Sequence, residues 1–159
     1  MLIRGATRDD VSLLTTIIRN SFRDVAERFN LTPENSPTHP SNCTEEWISK
    51  EQDKGVTYYI LESNGKPCGC VALEQAQPEV SYLERLAVLP EYRRKGFGEA
   101  LVRHVLEEAL KKKAHRVEIG IIAKHTELKE WYEKLGFSVK ETVHFNHLPF
   151  DVTFIFVKL

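Results

Sequence analysis

No window of the chain approaches the ~20 consecutive apolar residues of a membrane-spanning helix. Met1 is followed by Leu2-Ile3-Arg4-Gly5-Ala6, too short an apolar stretch for a signal peptide. An excess of charge of either sign is missing too: Lys+Arg number 22 and Asp+Glu 23, a formal net charge of −1. So balanced a chain has no global field to draw in nucleic acid or an acidic membrane, and any phosphate it holds must be held by local geometry. Cysteine is scarce and odd in number, with three residues, which excludes a disulfide scaffold. With no export signal, the expectation is a cytoplasmic protein with reduced thiols, in which Asn30-Leu31-Thr32 and Asn42-Cys43-Thr44 carry no glycan. Cys68-Gly69-Cys70 is open to a redox or metal reading, but no second Cys or His pair completes a zinc set. Two positions along a strand share a face, so the pair reads as two small buried thiols side by side.

What is present is an ordinary globular balance of 42% hydrophobic and 28% charged residues. One domain over residues 1–159 is expected, burying about 69% of the unfolded chain's surface. Leu2 to Ala6 reads as a strand, and Thr7-Arg8-Asp9-Asp10 as a capping box with Asp in place of Glu. Val11, Leu14, Ile18, Phe22 and Val25 then form one apolar helix face. Residues 30–42, with Pro33, Pro37 and Pro40, form a long loop. Thr44 caps a second helix that Gly55 ends. Strands follow at Val56–Glu62 and Cys68–Leu73, joined by the hairpin signal Asn64-Gly65. Val80–Leu89 is a longer strand, with Leu83, Ala87 and Leu89 on one face and Tyr82, Glu84, Leu86 and Val88 on the other. Gly98–Lys113 is a helix whose core face is Leu101, Val102, Val105, Leu106, Ala109 and Leu110. Its closing Lys111-Lys112-Lys113 suits a helix C-terminus better than a nucleic-acid patch. A strand at Val117–Ile122, a helix at Glu127–Leu135 capped by Gly136, and strands at Phe137–Val143 and Val152–Leu159 complete the chain. The fold class is therefore α+β (mixed α/β): a single mixed, mostly antiparallel sheet of about seven strands with about four helices, and no repeat or linker.

Chemistry concentrates in Leu83–Gly98, where a strand runs into three consecutive cations, Arg93, Arg94 and Lys95, then Gly96 and Gly98, then a helix. Glycines admit close backbone approach, and a helix start offers unpaired N–H groups, so the segment reads as a phosphate cradle. It is no dinucleotide fingerprint, because Leu101 stands where a third glycine belongs, and the Gly-Lys-Ser/Thr of a Walker loop is absent. His144-x-x-His147 with Asp151 has usable metal spacing, but it sits in a loop with Pro149; it reads as a polar loop bordering an acceptor site, with no metal. His39, in the Pro-rich loop, is a further histidine expected to face that site.

Arg93-x-x-Gly96-x-Gly98 resembles the Gln/Arg-x-x-Gly-x-Gly/Ala signature of the GCN5-related N-acetyltransferase (GNAT) superfamily. Leu86-Ala87-Val88-Leu89-Pro90-Glu91-Tyr92 is similar to that family's fourth strand and the loop after it, and Trp131-Tyr132-Glu133-Lys134-Leu135-Gly136-Phe137 to a second family element. The resemblance implies acetyl transfer from acetyl-CoA to an amine, with acetyl-CoA as cosubstrate. Its pyrophosphate would lie on Arg93, Arg94, Lys95, Gly96, Phe97, Gly98 and Glu99. It implies a fourth strand splayed from the fifth, so that Leu86, Ala87 and Val88 bind the pantetheine arm through their backbone, with the Val88 N–H polarising the thioester carbonyl. Tyr132 matches the tyrosine that protonates the leaving thiolate. Glu84, placed beside Leu86 and Val88 by period two, would take the amine's proton. The family's Asn after the fifth strand is replaced here by Ala123-Lys124-His125. A non-catalytic acyl-CoA-binding module and a nucleotide-phosphate binder remain as alternatives. The acceptor, a small-molecule or peptide amine, is not legible, nor is the oligomeric state, for which a homodimer stays open.

Overall fold

A computed structural model describes residues 1–159. Thr7 opens the first helical segment as expected: the Asp10 carboxylate accepts from the Thr7 N–H at 2.7 Å, and the Thr7 hydroxyl accepts from the Asp9 N–H at 3.2 Å. A 3₁₀ turn at Arg8–Asp10 leads into helix α1 (Val11–Arg28). Arg4, on strand β1 (Leu2–Gly5), grips Asp10 at 2.8 and 2.9 Å and Glu62 at 2.9 Å, and so ties that turn to the sheet. Arg4 and the Thr7 N–H pull the Asp10 carboxyl down to about 2. Val11, Leu14, Ile17 and Ile18 bury the apolar stripe of α1. Phe22 and Val25 extend that stripe, only half-buried, to the wall of a cleft.

Helix α2 (Glu45–Asp53) starts at Thr44, whose hydroxyl accepts from the Trp47 N–H at 3.2 Å. Strands β2 (Thr57–Ser63) and β3 (Lys66–Gln77) meet at Asn64 and Gly65, both at positive φ as a tight hairpin turn requires. Strand β4 (Val80–Val88), helix α3 (Phe97–Lys111), strand β5 (Arg116–Ile122), helix α4 (Thr126–Lys134) and strands β6 (Ser138–Val143) and β7 (Val152–Lys158) follow. The seven strands form one sheet in the order β1-β2-β3-β4-β5-β7-β6, antiparallel everywhere except between β4 and β5. Two cores cover its faces. Leu14, Ile18, Ile48 and Ile60 belong to the one under α1 and α2; Leu73, Leu101, Val105, Tyr132 and Ile155 belong to the one under α3 and α4. No helix is long and apolar enough to cross a membrane.

The parallel pair is short. It runs only through Val80–Arg116, Ser81–Val117 and Tyr82–Glu118, after which β4 and β5 separate. This is the splay that the resemblance implies.

Three features depart from the sequence reading. Ala72 pairs with Glu84 but Cys70 pairs with Ala87, so β4 carries one extra residue, absorbed where Arg85 takes φ 50°. The alternation inverts across this bulge. Glu84 lies on the α1/α2 face with Ala72 and Ala87, whereas Leu86 and Val88 pack with Leu83 on the α3/α4 face. Glu84 therefore does not share a pleat face with Leu86 and Val88, and Leu83 does not share one with Ala87 and Leu89. A second bulge, between the pairs Leu61–Gly69 and Glu62–Pro67, leaves Cys68 as the extra residue. Cys68 and Cys70 are both buried and free, but they enter opposite cores. Finally, Leu110 is 59% exposed, because the buried stripe of α3 runs through Leu101, Val102, Val105 and Ala109, and Leu110 falls to the side of it.

Candidate active site

Where β4 and β5 part, a cleft of about 1420 Å³ passes between the faces of the sheet. Main chain and side chains from Leu83–Val88 form one lip and Ile119–Ile122 the other. On the α3/α4 side it is closed by the start of α3 and by Leu128, Trp131 and Tyr132 of α4; on the other side by Phe22 and Val25 of α1, His39, Trp47, Leu148 and Phe150.

The segment expected to form a phosphate cradle lies at one end. Arg94 takes φ 62° and Gly96 φ 81°, so two left-handed residues, one on either side of Lys95, bring the chain into α3. Gly96 is the N-cap and no side chain caps the helix, so the first-turn N–H groups are unspent and carry the positive end of the dipole. A Cβ on Gly98 would come within 3.3 Å of the Trp131 ring, so glycine there keeps the helix close to that ring at the cleft wall. Arg94, Gly96, Phe97, Gly98 and Glu99 line the cleft; Lys95 does not, and its ammonium sits 5.8 Å from the Tyr92 ring centroid. The Arg93 guanidinium is a strut. It donates to Asp24 at 2.7 Å, to the Ser21 carbonyl at 2.7 Å and to the Val88 carbonyl at 3.1 Å. It thereby ties the loop and the end of β4 to α1.

At Val88 the main chain faces the cleft. The Leu89 N–H donates to the Cys68 carbonyl at 2.9 Å across to β3. One residue earlier the antiparallel alternation turns the N–H and C=O of Val88 the other way, into the splay, where the carbonyl meets Arg93. Its N–H is thus an unpaired edge donor inside the cleft. Tyr132 reaches the same cleft from α4, 3% exposed, with Trp131 and Phe137 edge-on at ring centroid distances of 4.9 and 5.3 Å. Burial alone pushes its hydroxyl well above the ordinary tyrosine range, and no protein group accepts from it. It is a held proton without a partner.

Glu84 faces the opposite chamber. Its carboxylate accepts from Arg85 at 3.1 Å, and Arg85 also binds Glu51 at 2.7 Å and the Tyr58 hydroxyl at 3.2 Å. The Arg85 guanidinium lies 4.7 Å from the Trp47 ring centroid, and the Tyr58 hydroxyl closes the network by donating to Glu51. Burial, and next a hydrogen bond with Glu74, push the Glu84 carboxyl up to about 8, against the pull of Arg85. The cleft thus brings Glu84, Tyr132 and the Val88 main chain together, reached from opposite faces of the sheet.

His39 lines the cleft as expected, edge-on to Phe22 at 5.8 Å, with Nδ1 on the Ser41 hydroxyl at 2.7 Å; burial lowers it to about 4. The 144–151 loop borders the cleft through Leu148 and Phe150 rather than its histidines, and His144 binds Asp151 at 2.8 Å. No group of His, Cys, Asp and Glu side chains is arranged to hold a metal ion. Trp47, His125, Leu148 and Phe150 went unassigned in the sequence because each reads locally as helix packing or loop. Only the topology, which gathers α1, α2 and the β6–β7 loop above one opening, marks them.

Comparison with known proteins agrees with this geometry. Residues 19–137 match the acetyltransferase (GNAT) family. A segment of 103 residues is 32% identical to an uncharacterised N-acetyltransferase, MJ1207, of Methanocaldococcus jannaschii, covering 61% of this chain and 45% of that one. The chain thus spans under half the length of that relative. It is also 28% identical over 138 residues to the ribosomal protein bS18-alanine N-acetyltransferase of Escherichia coli, covering 87% of this chain and 85% of that one. Among solved structures, the PaiA N-acetyltransferase of Thermoplasma acidophilum in complex with coenzyme A superposes with a TM-score of 0.80 at 16% identity, over 99% of this chain and 98% of that one. With the signature loop, the splay and the family match all falling on the same elements, the chain belongs to the acetyltransferase (GNAT) family.

Proposed function

We propose that the protein transfers the acetyl group of acetyl-CoA to a primary amine by direct attack in a ternary complex. One observation carries this reading: the Val88 edge, the uncapped start of α3 and the unpartnered Tyr132 hydroxyl all open into one cleft that runs through the sheet. The residues present fit acetyl-CoA. Gly96 and Gly98 leave the α3 start open to a phosphate, and the Leu86–Val88 edge can accept an amide-bearing chain as a further strand would. Relatives named N-acetyltransferases and a fold neighbour holding coenzyme A support it.

Acetyl-CoA supplies the acyl group as a thioester whose cleavage releases a thiol. The amides of Arg94 to Glu99 hold the phosphates, and Leu86, Ala87 and Val88 align the pantetheine arm through their main chain. The Val88 N–H stabilises the negative charge that develops on the acyl oxygen. Glu84, on the α1/α2 side, takes the proton of the incoming amine. Tyr132, on the α3/α4 side, gives its proton to the departing sulfur and recovers one from solvent. One N–C bond forms as one C–S bond breaks. The bulge at Arg85 suits this division of labour, because it sends base and acid to opposite chambers.

Calorimetric titration with coenzyme A and with ATP, followed by a thiol-release assay on acetyl-CoA with a panel of amines, tests the reading. The expected result is selective coenzyme A binding and amine-dependent release of one thiol per acetylated amine. Coenzyme A binding without release by any amine would make the protein a sensing module. Preference for ATP would make it a nucleotide-phosphate binder.

A further inference from the structure

The charges that line the cleft are nearly all paired within the protein. Four carboxylates line the cleft, Asp24, Glu84, Glu99 and Glu127, and each is already engaged by an arginine: Arg93 at 2.7 Å, Arg85 at 3.1 Å, Arg103 at 3.1 Å and Arg28 at 2.5 Å. The lining ions without a salt bridge are Arg94 and Lys134, both cations. No lining carboxylate is free of an arginine to receive a second ammonium, and Glu74, which has no salt bridge, lies outside the lining and is hydrogen-bonded to Glu84. The walls on the acceptor side are apolar instead: Phe22, Val25, Trp47, Leu148 and Phe150. His39 adds a polar atom but no charge. Its Nδ1 is held by Ser41, its ring is packed on Phe22, and burial keeps it neutral.

We infer that the acceptor is a monoamine: one amino group on an uncharged, apolar or aromatic body, and not a polyamine or aminoglycoside. The inference deepens the transferase reading and rests on it. A polycation entering this chamber would leave its remaining ammonium groups against apolar rings and paired arginines, desolvated and without a counterion. A monoamine needs only Glu84 for its single proton, and its body replaces water on Phe22, Trp47 and Phe150. The same chemistry can come from a free arylalkylamine or from the α-amine of a peptide with an apolar first residue.

The test is a comparison of kcat/KM by thiol release for phenethylamine, a tripeptide beginning with Phe and capped at its C-terminus, spermidine and kanamycin. Phenethylamine or the peptide should exceed both polycations at least tenfold, and whichever of the two is faster identifies the source. Phe150→Ala should lower the preferred substrate at least tenfold with coenzyme A affinity unchanged. Arg28→Ala, which frees the Glu127 carboxylate, should raise spermidine turnover several-fold. Spermidine or kanamycin equal to or better than the monoamines would overturn the inference and leave the transferase reading intact. Coenzyme A binding with no turnover of any amine would remove the transferase reading itself, and the inference with it.

Discussion

Glu84→Gln separates a base from a structural carboxylate, because the side chain keeps its shape and loses only its titration. In the folded protein, burial and Glu74 raise this carboxyl from an ordinary 4.5 to about 8. At pH 7 such a group is about one-tenth ionised, so a mechanism that uses it gains about tenfold per pH unit up to pH 8 and then levels off. The variant must wait for the amine to lose its own proton, near pH ~10 for an alkylamine, so its rate climbs through the whole interval. Below pH 8 the two profiles run parallel, offset by the ~10²–10⁴-fold value of a positioned base. From pH 8 to pH 10 the gap should close by about a hundredfold. Stability offers a second reading. The folded state holds a proton on Glu84 that the unfolded chain has already lost, so Glu84's contribution is fully present below pH 4.5 and is lost as pH rises through about 8. Gln stays neutral throughout. Thermal unfolding of the variant should therefore depend less on pH across that window, and at pH 9 the variant should be the more stable protein, by a few kcal/mol at most. The assays are pH–rate profiles at one saturating amine and melting curves from pH 5 to pH 9. A constant ratio of rates from pH 6 to pH 10 would refute the role of Glu84 as base.

Tyr132→Phe removes a hydroxyl that makes no protein hydrogen bond, so the melting temperature and coenzyme A affinity should hold while turnover falls ~10²–10⁴-fold; parental turnover would reduce Tyr132 to core packing. Gly98→Val adds a Cβ at 3.3 Å from the Trp131 ring and branches beyond it, which should force that ring to shift and weaken coenzyme A binding at least tenfold, about 1.4 kcal/mol, by calorimetry; unchanged affinity in the folded variant would refute the cradle. Arg93→Ala cuts the links to Asp24, Ser21 and Val88, and should cost about 1–2 kcal/mol of stability along with coenzyme A affinity. Arg93→Lys should not restore either, since one ammonium lacks the fork geometry that reaches three acceptors; full recovery with Lys would show that only the charge matters.

Local chemistry was readable wherever a residue acts on its near neighbours. The Thr7–Asp10 box, the Thr44 cap and the Asn64-Gly65 turn all fall where spacing puts them, because each is closed by hydrogen bonds within a few residues. The uncapped start of α3 was legible for the same reason, as glycines before a helix. Side-chain direction was not. Both errors of facing, at Glu84 and at the Cys68–Cys70 pair, arise from one extra residue in a strand, and a bulge is set by what the neighbouring strand pairs with, which the local pattern does not carry. Arg93 looked like a free cation because its partners Asp24 and Ser21 lie about seventy residues away on α1. The apolar walls of the cleft were hidden likewise, since Phe22, Trp47 and Phe150 meet only after the chain has folded.

The short β4–β5 seam makes this sheet mechanically uneven. Strands β1 to β4 form one plate and β5 to β7 another, stitched along their shared border by three register pairs at Val80, Ser81 and Tyr82 and then left open. An open fissure concentrates load at its tip. When the protein is heated or pulled, the stitches nearest the opening should yield first, at Tyr82 and Glu118, and the tear should travel toward Val80. Amide exchange at this seam should accordingly be faster than within either plate. A ligand spanning the fissure would act as a rivet across it, and would raise the force and the temperature at which the plates part.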